Sequence, residues 1–460
     1  MSSKPINRRD FLKIVALTGA SAGLAACSKK EAPTAEPVAG EKPAAPEGQT
    51  VQYWVQWGGS YAGDAWTDLK ETAEFKEIFG NNTLEVKGSV PEEALLTAIA
   101  GGTPPDGAGN YNYLDYMARD VLLPVDEYVA ASKRIKKEDF IEANWELGYY
   151  KGKFYGIPTN EAFMRFGTDY NRRMVEAVGL DPMKPPETWS EWLAWHKELT
   201  KFDDAGNLKQ IGLDPLDAMG ESLWSTDGWL VPMSWGFEWF NEANGTFNLN
   251  NDQMIDYFET MKKFIDIIGI DNLTGMRQVE GQGTWGGSFN AEVQAAIIEG
   301  YWHPGETAVE KPEVLPYNMA TWAPVPDNRK GVKTQTAGGH LVMIFKASKN
   351  PELMYGLTEF LCTNAACDII FKRVGWLPAV IKYLDTVDTS VYPGLDFYFK
   401  SFKEATEWHK PAQCPITSFV GNVFGEVRES FLRNEKSAKD AAAELQTRVE
   451  EEWKNAGFGG

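Results

Sequence analysis

The residue types with most to offer chemically are aromatic and acidic: 17 Trp, 17 Tyr and 24 Phe stand beside 65 Asp plus Glu. Many of the Trp adjoin Gly or Pro at the ends of predicted strands or helices, and such loop positions are where binding residues concentrate. An indole face suits the flat patch of C–H bonds on a pyranose ring, while the ring's hydroxyls need donors and acceptors at the rim. Trp combined with carboxylates and amides is therefore a set suited to carbohydrate. Large aromatics default to packing, which accounts for about two in three of these Trp, so position must select among them. Trp57 ends a predicted strand just before GGSYAGD, at the carboxyl end where open α/β sheets bind ligands. Trp229, Trp235 and Trp239 crowd one loop-rich stretch; the first two are candidate stackers and Trp239 is expected in the core.

Other chemistries find little support. Glycoside hydrolysis needs two carboxylates at a fixed separation, and with 65 acidic residues some pair always looks possible. No Walker-type phosphate loop, GxSxG elbow or HExxH helix occurs. Four scattered His make a histidine metal cluster unexpected, and no metal or other cofactor is called for. The four Cys (Cys27, Cys362, Cys367, Cys414) are too few for a disulfide scaffold and lack zinc spacing; the last three are expected as free thiols, buried by default. The net charge of -20 has the wrong sign for gripping phosphate backbones, which argues against a nucleic-acid partner.

The elements that would position these residues alternate between strand and helix. VQYWVQW (51–57) and TLEVKG (83–88) read as strands, with a helical pattern over 65–79 between them. A helix follows from Pro91 to Ala100, then the break GGTPPD. This is an α/β body with a mostly parallel sheet. Thr188 with Glu191, Ser437 with Asp440, and Asn350 before Pro351 mark helix starts. Amphipathic helices are predicted over Thr188–Lys201, Asp252–Ile268, Asn290–Glu299, Glu352–Cys362, Phe419–Leu432 and Ala438–Trp453.

The first 50 residues belong to a different class. Residues 1–26 combine a basic start with the apolar run Ile14–Ala26, about half the length that spans a bilayer, and read as an export signal. The string RRDFLK at Arg8 resembles a twin-arginine signal, with Asn7 where Ser or Thr is usual. LAAC at Leu24–Cys27 resembles a bacterial lipobox, which implies lipid on the Cys27 thiol and cleavage before it. Residues 27–49, rich in Pro, Ala and Glu, then form a flexible tether.

Seven pieces read in order carry a resemblance over nearly all the chain after Val51: LLTAIAGGTPPD (95–106), YYKGKFYGIPTNEAF (149–163), DYNRRMVEAVGLD (169–181), PPETWSEWLAWHKELT (185–200), AAIIEGYWHPGE (295–306), GGHLVMIFKASKNPELMYGLTEFL (338–361) and GWLPAV (375–380). Together they resemble the extracellular solute-binding proteins of sugar ABC importers. The resemblance implies a two-lobed, periplasmic-binding-protein-like fold with a hinge and a central ligand cleft, a kind of hinge closure well known for such proteins. Lobe 1 is expected over 50–158 plus about 310–375, and lobe 2 over 159–309 plus 376–460. The first crossing falls near Pro158, a return between His303 and Ala323, and the last near Trp376.

The same resemblance implies ligand contacts at Trp57 with Gly58, Asn110, Tyr111, Glu161, Trp302, His303, Gly339 with Gly338 and His340, and Trp376. Trp302 is the aromatic expected to stack on a sugar. Glu161 has an alternative role as a surface carboxylate or partner of Arg165, and His303 as a structural histidine. The implied protein is a monomeric, non-catalytic lipoprotein anchored through Cys27 on the outer face of the cytoplasmic membrane, at the cell surface or in a periplasm. It would capture a mono- or oligosaccharide and deliver it to ABC permease subunits. An exported lipoprotein glycoside hydrolase is the alternative, with a purely structural surface protein third.

Overall fold

In TVQYWV, residues 51, 53 and 55 are buried while 50 and 52 are exposed, the period of two that gives a strand one packed face. Nine further strands join it in two sheets. The computed structural model describes residues 48–56, 60–110, 113–217, 230–276, 287–336, 338–409 and 412–458; Cys27, Trp57, Gly58, Tyr111 and Trp229 lie outside them, as do the export signal and most of the tether. The strands are β1 (Thr50–Val55), β2 (Thr83–Lys87), β3 (Gly107–Asn110), β4 (Gly156–Pro158), β5 (Gly167–Asn171), β6 (Lys201–Phe202), β7 (Leu208–Leu213), β8 (Gln294–Glu299), β9 (Asn318–Thr321) and β10 (Leu341–Ile344). The first sheet runs β2-β1-β3-β10-β4 and the second β9-β5-β8-β7-β6.

The chain thus leaves the first sheet after Pro158, builds the second, and re-enters the first at Leu341. Because β9 hydrogen-bonds to β5, the stretch 310–321 belongs with the second sheet, and the return lies between Thr321 and Leu341. It falls later than the expected lobe boundary at about 310. Nor are the sheets mostly parallel. β1–β2, β1–β3 and β7–β8 are parallel, whereas β10 is antiparallel to β3 and β4, and β5 to β8 and β9. Those four antiparallel pairs are made by strands entering or leaving a sheet at a crossing, which no βαβ unit orients; a fifth, β6 with β7, is a local hairpin.

Each sheet has its own core. Val342 and Ile344 of β10 pack with Val51 and Tyr53 on one face, and Leu341 and Met343 with Tyr116 and Leu114 on the other, so the first sheet is covered on both sides. The second sheet packs Ile211 and Ile298 with Trp192, Phe264, Val427 and Leu445. The covering helices are α1 (Ser60–Glu71), α2 (Ala73–Phe79), α3 (Glu92–Ala100), α4 (Tyr113–Ala118), α5 (Trp189–Leu199), α6 (Asp252–Ile268), α7 (Trp302–Glu310), α8 (Pro351–Leu361), α9 (Asn364–Val374), α10 (Thr417–Leu432) and α11 (Ala438–Asn455). The buried face of α10 and α11 belongs to the second core.

Local chemistry explains the boundaries. Thr188 and Glu191 form a reciprocal capping box at α5, and Ser437 accepts from the Asp440 N–H at α11. The pattern over 65–79 divides into α1 and α2 because the Thr72 hydroxyl accepts from the Phe75 N–H and starts a new helix. Asn350 stands at the N-cap of α8 with Pro351 in the first turn, but its side chain reaches the Thr50 carbonyl instead of capping the helix. The helix expected over Asn290–Glu299 is the strand β8, all six of whose residues are buried between β5 and β7. Cys362, Cys367 and Cys414 are free thiols, the last two buried.

Candidate functional site

The two sheets are tied together by chain segments that hydrogen-bond to one another rather than to either sheet. Along the first crossing, the Glu161 carbonyl accepts from the His340 N–H (2.7 Å) and the Ala162 N–H donates to the Leu377 carbonyl (2.8 Å). The Met164 carbonyl accepts from the N–H of Tyr301, just beyond β8 (3.0 Å). Residues at the start of the chain's second sheet, its return and the turn after α9 therefore meet at one node. Gly339 is required there: at φ 138° its Cβ would stand 2.2 Å from the Glu161 carbonyl oxygen. The close approach made possible by this glycine is to another crossing segment, not to a ligand as expected.

Charge is buried at this node. Glu161 and Arg165 pair at 2.5 Å with side chains 4% and 7% exposed, and Tyr301 donates to Glu161 (3.1 Å). His340 Nε2 lies 3.9 Å from the same carboxylate. The Arg165 guanidinium stacks 4.5 Å over the ring of Trp302, which is half-buried and packs against both cores. Trp376 donates from Nε1 to Glu306 (2.8 Å) and meets His340 edge-on. Of the expected contact residues, the structure brings Glu161, Trp302, Gly339, His340 and Trp376 together here.

Two others are packed away. His303, directly after Trp302, is fully buried against Phe289, and burial depresses its pKa to about 3, which keeps it neutral. Trp235 is stacked on Trp189 inside the second core, with Nε1 donated to Asp256; Trp239, expected in the core, is there. For His303 and Trp235 the ligand-contact expectation is corrected: each ring is enclosed by side chains of its own lobe.

Beside the node lies a group of buried acids. Asp169 on β5 is pushed up to about 7 by burial, against the hydrogen bonds it accepts from Tyr398 and Asn318. Glu299 at the end of β8 rises to about 8, through burial and the nearby Asp217 and Asp169 carboxylates. Burial also lifts Glu306 well above the usual carboxylate range.

A cavity of about 620 Å³ opens between the lobes. One wall is Gln56 at the end of β1, the turn Ser89–Pro91 after β2, Glu92, Glu93 and Leu96 of α3, and Asp115 of α4; the other is Ser418 and Asn422 of α10. This is the crevice outside the carboxyl ends of strands. Asn110, at the end of β3, is buried and donates to Glu92 (3.3 Å), which also accepts from Tyr116 (2.6 Å). Asn110 thus orients a carboxylate that lines the cavity. The Gln56 side-chain oxygen is shielded from solvent and has no hydrogen-bond partner among the described residues. Sequence reasoning missed Gln56, Glu92, Asp115, Ser418 and Asn422. Gln56 and Glu92 carried a signal, since each sits where a strand ends or the next helix begins; nothing in the sequence pairs Ser418 with Asp115.

The profile of the family described as bacterial extracellular solute-binding protein matches residues 59–366. The chain belongs to this family. Its fold is that of the two-lobed sugar-binding proteins: CpMnBP1 with mannotriose bound superposes with a TM-score of 0.75 at 20% identity, covering 86% of this chain and 99% of that one. The maltose/maltodextrin-binding domain of Bdellovibrio bacteriovorus bound to maltotriose gives 0.69 at 17%, covering 88% and 100%. An ABC substrate-binding protein of Listeria monocytogenes in complex with cycloalternan gives 0.69 at 17%, covering 90% and 100%. No curated protein matches the sequence.

Proposed function

We propose that this solute-binding protein captures a saccharide between its lobes and hands it, unaltered, to the permease of an ABC importer. The observation that carries the reading is the cavity itself: an interlobe space walled by Gln56, Glu92, Asp115, Ser418 and Asn422, neutral and acidic groups that can bond the hydroxyls of a ring. Structural relatives that hold mannotriose, maltotriose and cycloalternan support the ligand class. Trp57, Gly58, Tyr111 and Trp229 are proposed to complete the walls, and Trp302 and Trp376 to face the ligand from the node when the lobes move. Binding then follows a population shift, in which contacts made only in the closed form favour closure. The chain acts as a monomer without catalytic turnover. Lipid on Cys27 and the tether over 27–49 would hold it on the outer face of the cytoplasmic membrane after export.

A thermal-shift and calorimetric panel on the full chain, with mono-, di- and trisaccharides including mannotriose and maltotriose, tests this. At least one sugar should raise the melting temperature in proportion to the logarithm of its concentration. A panel without effect, or steady release of shorter sugars during incubation, would overturn the reading.

A further inference from the structure

Among the described residues, two contacts between the lobes stand apart from each other. One is the node of crossing segments. The other lies across the cavity, which none of the node residues described above line. There the Ser418 hydroxyl of α10 donates to Asp115 of α4 at 2.7 Å. Nearby, Gln413 Nε2 donates to the Tyr149 carbonyl at 2.6 Å, while the Gln413 N–H is held in its own lobe by Glu242 (2.8 Å). Asp115 and Tyr149 belong with the first sheet's packing, Ser418 and Gln413 with the segment whose Cys414, Ile416 and Val420 enter the second core. These are direct hydrogen bonds between the two lobes, the first between opposing walls of the cavity and the second beside it.

We propose that Asp115–Ser418 and Tyr149–Gln413 form a latch, two hydrogen bonds made only while the cleft is shut, so that part of the closing free energy belongs to the protein and is the same for every ligand. Rotation about the node separates the walls, and a hydrogen bond is lost once its heavy atoms part beyond about 3.5 Å. In the open form all four groups turn to water, so the net worth of each bond is modest, about 3- to 10-fold in the ratio of closed to open molecules. Apparent affinity scales with the closed fraction. Ligand contacts therefore choose among sugars, and the latch raises or lowers all affinities together. Its effect on affinity rests on the capture reading above; its effect on lobe separation does not.

The test uses the full chain with Cys27→Ser and spin labels at Lys153→Cys and Ala243→Cys, two exposed positions that flank the latch from opposite lobes. Without sugar, double electron–electron resonance should show one short interlobe distance in this parent. Gln413→Ala with Ser418→Ala should add a longer component, lowering the closed-to-open ratio by at least about 3-fold. Gln413 does not line the cavity, so Gln413→Ala alone should weaken mannotriose and maltotriose by one common factor. An unchanged distance distribution overturns the latch, and so does a change in the ranking of the two sugars with Gln413→Ala. If no sugar of the panel binds the parent, the capture reading fails while the distances still decide the latch.

Discussion

Glu161 shows how a single residue can be read two ways and what separates them. The resemblance implies a ligand contact, and the sequence alone also allows an ion pair with Arg165 four residues on. In the structure the pair is made, both side chains are almost wholly buried, and Tyr301 adds a third bond. A buried pair adds little over well-packed apolar residues, but breaking it strands one charge. Glu161→Gln should therefore lower stability by about 3–5 kcal/mol in denaturant unfolding, even with no sugar present. A variant that kept full stability and lost only sugar affinity would return Glu161 to the ligand. Legibility at this scale followed locality. Trp302, Trp376, Glu161 and His340 were readable as one group because each stands in a recognisable string. Whether a ring such as Trp235 or His303 faces a cleft or a core depends on neighbours such as Trp189 and Phe289 on other elements, about which spacing says nothing.

Among the elements, β8 carries the most instructive misreading. Its run QAAIIE lacks polar punctuation, and a short apolar run buried on both faces does not reveal its period. Only pairing with β5 and β7 decides it. The capped helices, by contrast, were legible because a cap is a local chemical signal. The β5–β8 pairing has an electrostatic consequence, since it buries Asp169 and Glu299 on neighbouring strands. Their folded-state pKa values, about 7 and about 8, lie above those of an exposed carboxyl. Between about pH 4.5 and 8 the folded state thus holds more protons than the unfolded one, and stability falls as pH rises. His196 and His303, depressed to about 4 and about 3 by burial, act in the opposite sense below about pH 6.5. From about pH 6.5 to 8 the carboxyl effect stands alone. The melting temperature should drop across that window, and Glu299→Gln should flatten the drop. A midpoint that climbed from pH 6.5 to 8 would refute the assignment of protons to these two groups.

For the molecule as a whole, two lobes were readable from the order of motifs, while the return was placed a strand too early because β9 carries no signal of which sheet it joins. Nor could sequence show where the lobes bear on each other at the hinge. One such contact is between two glycines. A Cβ on Gly305 of α7 would lie 2.4 Å from the Gly375 Cα at the end of α9, and one on Gly375, itself at φ 80°, would lie 2.5 Å from the Gly305 backbone. Gly305 has no such φ constraint, so Gly305→Ala tests the contact without altering backbone preference. The added methyl meets main chain on the opposing lobe, which cannot rotate away, so α7 and α9 must part. The cost should be about 1–3 kcal/mol, as for overpacking a well-filled core. Because α7 follows β8 of the second sheet and α9 packs on α1 of the first, parting them is a movement of lobe against lobe. Gly305→Ala should therefore lower the melting temperature and also change the interlobe distance reported by labels at 153 and 243. Loss of stability with an unaltered distance would mean that the strain is absorbed inside one lobe, and that the glycine pair is packing rather than pivot.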